Sequence, residues 1–241
     1  SPALPTCTPL KISVHGLSPN VMPPYYMMAF AVDGTPVTTP IGTDENNLSW
    51  TVTHPTGSRL ILTVVDANGS AGGTQLQILS VVGEFPAPVE IIKSDATDQK
   101  AGPTTQCVTS LLTAPPFTIK ASSVKNGLST CKPWQLTMKG GVRPYTVTLS
   151  TLGATWTKNV TLPPDLDVLK FINRAPPNSH LFAAVSDCTG RWATGTPIIK
   201  TKGTFYSLLV YTQIYSRAFV SQEKKTTLVR GLRIPKAISQ Q

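Results

Sequence analysis

Three histidines (His15, His54 and His180), twelve carboxylates and four cysteines are the side chains from which this 241-residue chain would have to build acid–base, nucleophilic or metal chemistry. A hydrolytic triad needs a Ser or Cys nucleophile, a His and a carboxylate converging on one point. Neither Gly-x-Ser-x-Gly nor His-Glu-x-x-His occurs. His15 stands near a strand end, His54 beside Pro55, and His180 opens a strand, so surface or turn roles are their simplest reading. Asp165 and Asp167 sit beside Pro163-Pro164 in a turn context. Calcium needs several oxygen ligands brought together, and Asp44-Glu45 supply too few. The residues read as a non-catalytic protein with no cofactor and no metal site.

The cysteines point elsewhere. Four of them in a strand-rich chain without Cys-x-x-Cys suggest disulfides rather than metal. Three pairings exist, of which Cys7–Cys107 and Cys131–Cys188 are favoured. The first ties an opening strand to the segment that follows its domain; the second ties the matching later strand to an Asp-x-x-Gly turn. Asn47-Leu-Ser, Asn68-Gly-Ser and Asn159-Val-Thr are candidate N-glycan acceptors. Tyr25, Tyr26, Trp156 and Trp192 are candidates for stacking on sugar rings, whereas Trp50 and Trp134 fall in phase with buried strand positions.

What positions these residues is a repeat. Residues 48–69, LSWTVTHPTGSRLILTVVDANG, align without a gap to residues 169–190, LKFINRAPPNSHLFAAVSDCTG, with 7 of 22 positions identical. Each copy reads as strand, tight connection, strand and Asp-x-x-Gly turn. The Asp side chain can bond the turn backbone, and Gly takes the positive φ that closes it. A second pair precedes it: residues 7–16, CTPLKISVHG, match residues 131–140, CKPWQLTMKG. Their apolar residues alternate in phase, Leu10, Ile12, Val14 against Trp134, Leu136, Met138, the period of a half-buried strand. Pro24-Tyr25 and Pro144-Tyr145 open the next strand of each copy.

With 22 Pro, 17 Gly and no long helical period, the chain is predicted to be all-β: two tandem immunoglobulin-like β-sandwich domains. The first domain spans 1–83 and the second 131–203. Between them, 84–130 is a Pro-containing connector with short strands, including one over 116–121 lying along either domain. No run of 18 apolar residues exists, so no membrane span is expected. The start, Ser-Pro-Ala-Leu-Pro-Thr-Cys, looks like a mature terminus after leader cleavage.

Residues 204–241 form an apolar, then basic, C-terminal extension. Phe205, Tyr206, Leu208, Leu209, Val210, Tyr211, Ile214 and Tyr215 make a strand that is apolar on both faces and demands burial on both. It either folds back on the second domain or adds to a sheet of another subunit. A weaker strand follows at 227–234. Net charge runs −2 over 1–83, zero over 84–130, +6 over 131–203 and +5 over 204–241.

The order Cys-x-Pro, Gly-Gly-x-x-Pro-Tyr at 140–145, a strand with Trp, then Asp-x-x-Gly resembles tandem immunoglobulin-like β-sandwich repeats of fungal, basidiomycete-type secreted and cell-surface proteins. The resemblance covers both repeats and implies a secreted protein of the extracellular space or cell wall. It implies no activity. Members usually carry a Ser/Thr-rich stalk and a membrane segment, in whose place this chain has its apolar and basic extension.

The expected function is therefore structural: an extracellular, glycosylated, disulfide-bonded protein that self-associates, head to tail, by β-strand addition into filaments or a surface layer. The alternative is a lectin-like module binding cell-wall polysaccharide. Nucleic acid is not expected as a partner, because no recognition motif accompanies the basic half.

Overall fold

The computed structural model describes residues 3–14, 20–69, 71–83, 107–108, 115–154, 157–203 and 232–233. The first repeat forms β1 (Ala3–Pro5), β2 (Pro9–Val14), β3 (Tyr25–Ala31), β4 (Val37–Gly42), β5 (Leu48–Thr51), β6 (Arg59–Val65), β7 (Ala71–Thr74) and β8 (Leu79–Val82). The larger sheet has the order β1-β8-β6-β3-β4, with β7 on β6, and β2 pairs with β5 in the opposing sheet. Leu10, Ile12, Leu48 and Trp50 of the small sheet meet Met27, Ala29, Leu60 and Leu62 of the large one in a closed core.

The second repeat forms β9 (Thr118–Ala121), β10 (Leu128–Ser129), β11 (Pro133–Lys139), β12 (Thr146–Thr151), β13 (Thr157–Thr161), β14 (Val168–Ile172), β15 (His180–Ser186) and β16 (Ile198–Lys202). Its sheets are β10-β16-β15-β12-β13 and β14-β11-β9. β11 shows the expected alternation: Trp134, Leu136 and Met138 are buried, while Pro133, Gln135, Thr137 and Lys139 face solvent. The chain is all-β, two tandem immunoglobulin-like sandwiches.

The repeat holds at the level of single backbone bonds. Pro24 and Pro144 both follow cis peptides, and φ is positive at the matched pairs Cys7/Cys131, Asp33/Gly153, Gly57/Asn178 and Gly69/Gly190. Each Asp-x-x-Gly aspartate is buried and does more than close its turn. Asp66 Oδ2 accepts the Met22 N–H at 3.2 Å, and Asp187 Oδ2 accepts the Val142 N–H at 3.1 Å. Each carboxylate thus ties the end of β6 or β15 to the loop that leads into β3 or β12.

The two sandwiches pack large sheet against large sheet. Strands β3, β6 and β15 are buried on both faces, as a sheet covered on both sides requires. Their second faces meet in a seam of Phe30, Val32, Ile61, Phe182 and Ala184, flanked by Leu152 and Trp192. Fully burying a Val, Ile or Phe side chain contributes about 1.5–3 kcal/mol. The rims are reciprocal. The Asp33 N–H donates to Thr196 O at 3.0 Å and Gly195 N–H to Gly34 O at 2.9 Å; the matched Gly153 N–H donates to Gln75 O at 2.8 Å and Thr74 N–H to Ala154 O at 2.9 Å. One set of contacts is used twice, as at an isologous two-fold interface.

Two expectations change. β9 and β10 belong to the second sandwich, which therefore begins before residue 131; within the expected 116–121 strand, Thr118–Ala121 pairs with β11 and not with the first domain. The Cys131–Cys188 bridge is not formed, and both are free thiols. Cys131 precedes β11, while the Cys188 N–H bonds Val142 O beyond its far end. A seven-residue strand is roughly 23 Å long, and a disulfide needs Cα atoms within about 7 Å. The Cys7–Cys107 disulfide is present, with Cα atoms 5.5 Å apart.

Candidate functional site

The functional candidate is the outer edge of β2. Its inward residues Leu10 and Ile12 are buried in the first core. The Cys7–Cys107 disulfide and the Cys7 N–H bond to Val52 O at 2.9 Å fix its start. One side of β2 pairs with β5. The other side pairs, antiparallel, with β17 (Leu232–Arg233), Leu232 opposite Val14 and Arg233 opposite Ser13. An uncovered β2 would present a row of unpaired N–H and C=O groups, a template for strand addition. The C-terminal extension thus reaches a sheet edge of the first sandwich, at the position of its weaker expected strand. The stronger expected strand, from Phe205 to Tyr215, lies outside the described residues.

The acidic character of the first sandwich is felt inside it. The Tyr25 phenol is pushed above its ordinary range, by burial first and then by Glu45, Asp66 and Asp44. Its exposed ion pair, Arg59 with Asp33 at 3.3 Å, adds little stability at such exposure.

The residues weighed for chemistry do not converge. His54 is buried, its ring nitrogens make no hydrogen bond of good geometry, and burial holds it below its ordinary pKa, a contact to the Thr35 backbone only partly opposing. His180 is exposed on β15, and His15 lies outside the described residues. Asp167 pairs with Arg143 at 3.3 Å on the surface. Among the described residues no three His, Cys, Asp or Glu side chains gather as a metal site. No described helix is long and apolar enough to cross a membrane.

The sugar-stacking set comes apart. Tyr25 is 5% exposed and belongs to the first core. Trp192 is taken by the seam: its ring meets Phe30 edge-on at 5.9 Å, and Nε1–H donates to Thr38 Oγ1 at 3.2 Å. Tyr26 is half-buried, and Trp156 lies outside the described residues. The acceptor asparagines Asn47, Asn68 and Asn159 are all exposed. Asn159 stands on the edge strand β13, where its Oδ1 accepts the Thr148 hydroxyl at 2.9 Å.

The seam was not foreseen. Its signal was present in YYMMAFA and RLILTVV, which carry apolar residues on both faces.

No protein-family profile matches the chain, and no curated protein matches it in sequence. Among solved structures it is similar to a two fibronectin type-III domain segment from chicken tenascin, at 12% identity and TM-score 0.27, over 83% of this chain and 97% of that one. It is also similar to Clostridium thermocellum CbhA fibronectin(III)-like modules, at 11% identity and TM-score 0.26, over 92% of this chain and 94% of that one. At these values the fold assignment rests on the strand order above.

Proposed function

We propose that this chain is a non-catalytic structural protein of the extracellular space, in the setting of a fungal cell surface, that associates head to tail with further copies of itself by β-strand addition. The observation that carries the reading is the pairing of Leu232–Arg233 with β2. A segment from the far end of the sequence binds a sheet edge of the first sandwich through main-chain bonds, the contact that strand addition uses. Such a contact between copies is heterologous and extends into a chain when it does not close. Charge favours the same pairing, −2 on residues 1–83 against +5 on 204–241, and salt would slow the encounter. The disulfide fits an oxidising compartment.

Negative-stain microscopy and sedimentation velocity of the purified full chain, over rising concentration, test this. Linear oligomers that shorten when 204–241 is deleted are expected. A monomer at every concentration overturns it. Polysaccharide binding gains no support from the placement of Tyr25 and Trp192.

A further inference from the structure

The two sandwiches differ in where one strand comes from. In the second, β9 lies on the outer edge of β11 with Ile119 opposite Met138 and Lys120 opposite Thr137. In the first, β17 lies on β2 with Leu232 opposite Val14 and Arg233 opposite Ser13. The repeat makes Val14 the equivalent of Met138 and Ser13 that of Thr137. Leu232 therefore occupies the place of Ile119, and Arg233 that of Lys120. The neighbouring strands confirm the frame: Leu4 opposes Val81 in the first sandwich as Leu128 opposes Thr201 in the second. The sequences agree as well, Ile119-Lys120-Ala121 against Leu232-Arg233-Ile234, apolar, basic, apolar.

We infer that Leu232–Arg233 is the first strand of the first sandwich supplied from the other end of the sequence, a self-cap on the β2 edge, and that the same slot takes this segment from a second copy once chains are concentrated. This rests on the proposed self-association and names its donor, its acceptor and its switch. β9 precedes its sandwich by a short connection, whereas β17 is joined through the 28 residues 204–231. A span of that length reaches at most roughly 90 Å, enough to serve a neighbouring molecule. Capping within the chain and between chains makes the same main-chain bonds, so the outcome is decided by concentration. Joining the segment and its slot in one chain sets an effective concentration on the order of millimolar. Dilute chains therefore cap themselves, and chains crowded on a surface exchange caps and link.

The test uses the full chain with the Cys7–Cys107 disulfide kept and Cys131→Ser and Cys188→Ser in every variant. Ser13→Cys and Arg233→Cys place thiols on directly opposed residues, a spacing that oxidation can bridge. With both substitutions in one chain, dilute oxidation is expected to give a monomer of altered mobility on a non-reducing gel, reversed by reductant. No such bridge overturns the register, even if microscopy still shows oligomers built through another strand. Mixing chains that carry one substitution each is expected to give mixed dimers at millimolar concentration or on a crowded bead surface, and at least tenfold fewer at micromolar. A bridge within the chain with no mixed dimer at any density overturns the exchange.

Discussion

Phe30 of the first sandwich and Phe182 of the second face each other with ring centroids 5.0 Å apart, tilted by 50°, across the boundary between the two repeats. Both are fully buried, and both lie on the faces of their large sheets that point away from their own cores. The pair belongs to neither sandwich, and it makes the tandem one unit. Phe182→Ala is expected to cost about 3–5 kcal/mol, the range for removing a buried phenylalanine. It should also separate a single urea transition into two, because the lost contact couples the halves. One transition with an unchanged midpoint would show that the seam carries no stability.

The thiols give a direct chemical check. Denatured without reductant, the chain is expected to show two reactive thiols, Cys131 and Cys188, because only Cys7 and Cys107 are bonded. A count of zero would mean that the second bridge forms after all. Cys107→Ser opens a loop of 100 residues, for which the chain-entropy model gives about 4.7 kcal/mol. The loss should be read by urea titration and should fall on the first sandwich.

The sequence disclosed the sandwiches because their cores are written locally. Trp134-x-Leu136-x-Met138 alternates cleanly, and Asp187-x-x-Gly190 marks its turn by residue type alone. The strand, connection and strand read in each aligned copy form as β5–β6 and β14–β15. Contacts between distant segments were less visible. Trp192 looked like a surface aromatic because nothing near it in sequence announces Phe30 and Thr38 as its neighbours. A Cys131–Cys188 tie between the opening strand and the Asp-x-x-Gly turn is favoured by the sequence but leaves out the length of β11 that separates them. The candidate site was half legible: 227–234 reads as a weak strand, but only the matched registers of β9 and β17 reveal whose edge it covers.

Asp187 holds the second sandwich together at one carboxylate. Its Oδ1 accepts the Thr189 hydroxyl at 2.6 Å and the N–H groups of Thr189 and Arg191 at 3.0 and 3.1 Å, and Oδ2 accepts Val142 N–H. Burial alone would raise its pKa; the Thr189 hydroxyl and the Val142, Arg191 and Thr189 N–H groups outweigh it, and the net shift is downward. A carboxyl lowered in the folded state contributes stability above its unfolded pKa of about 3.9 and loses it as pH falls through the folded value. Asp187→Asn turns an amide N–H toward the Val142 N–H and is expected to cost about 1.5–3 kcal/mol at pH 7. The deficit should shrink below pH 4 when unfolding is followed by tryptophan fluorescence. A deficit constant with pH would assign the loss to packing alone.

His54 predicts the opposite end of the same experiment. Burial lowers its pKa, so the folded chain keeps it neutral while the unfolded chain binds a proton near pH 6.5. The unfolded state then holds more protons in the window below 6.5, and stability falls there as pH falls. Above that window the imidazole is neutral in both states and exerts no pH dependence. His54→Leu keeps an apolar side chain of similar bulk in the site and removes ring nitrogens that lack well-formed hydrogen bonds. Replacing poorly satisfied buried polar atoms in this way is close to neutral or stabilising at pH 7. The variant should therefore match the parent chain at pH 7.5 and exceed it at pH 5, with the difference opening as pH falls through about 6.5. Parallel stability curves over that range would show that His54 gains a proton in the folded state as readily as in the unfolded one. They would also mean that its pocket admits the charge, which a side chain only 5% exposed and enclosed by the first sandwich should not do.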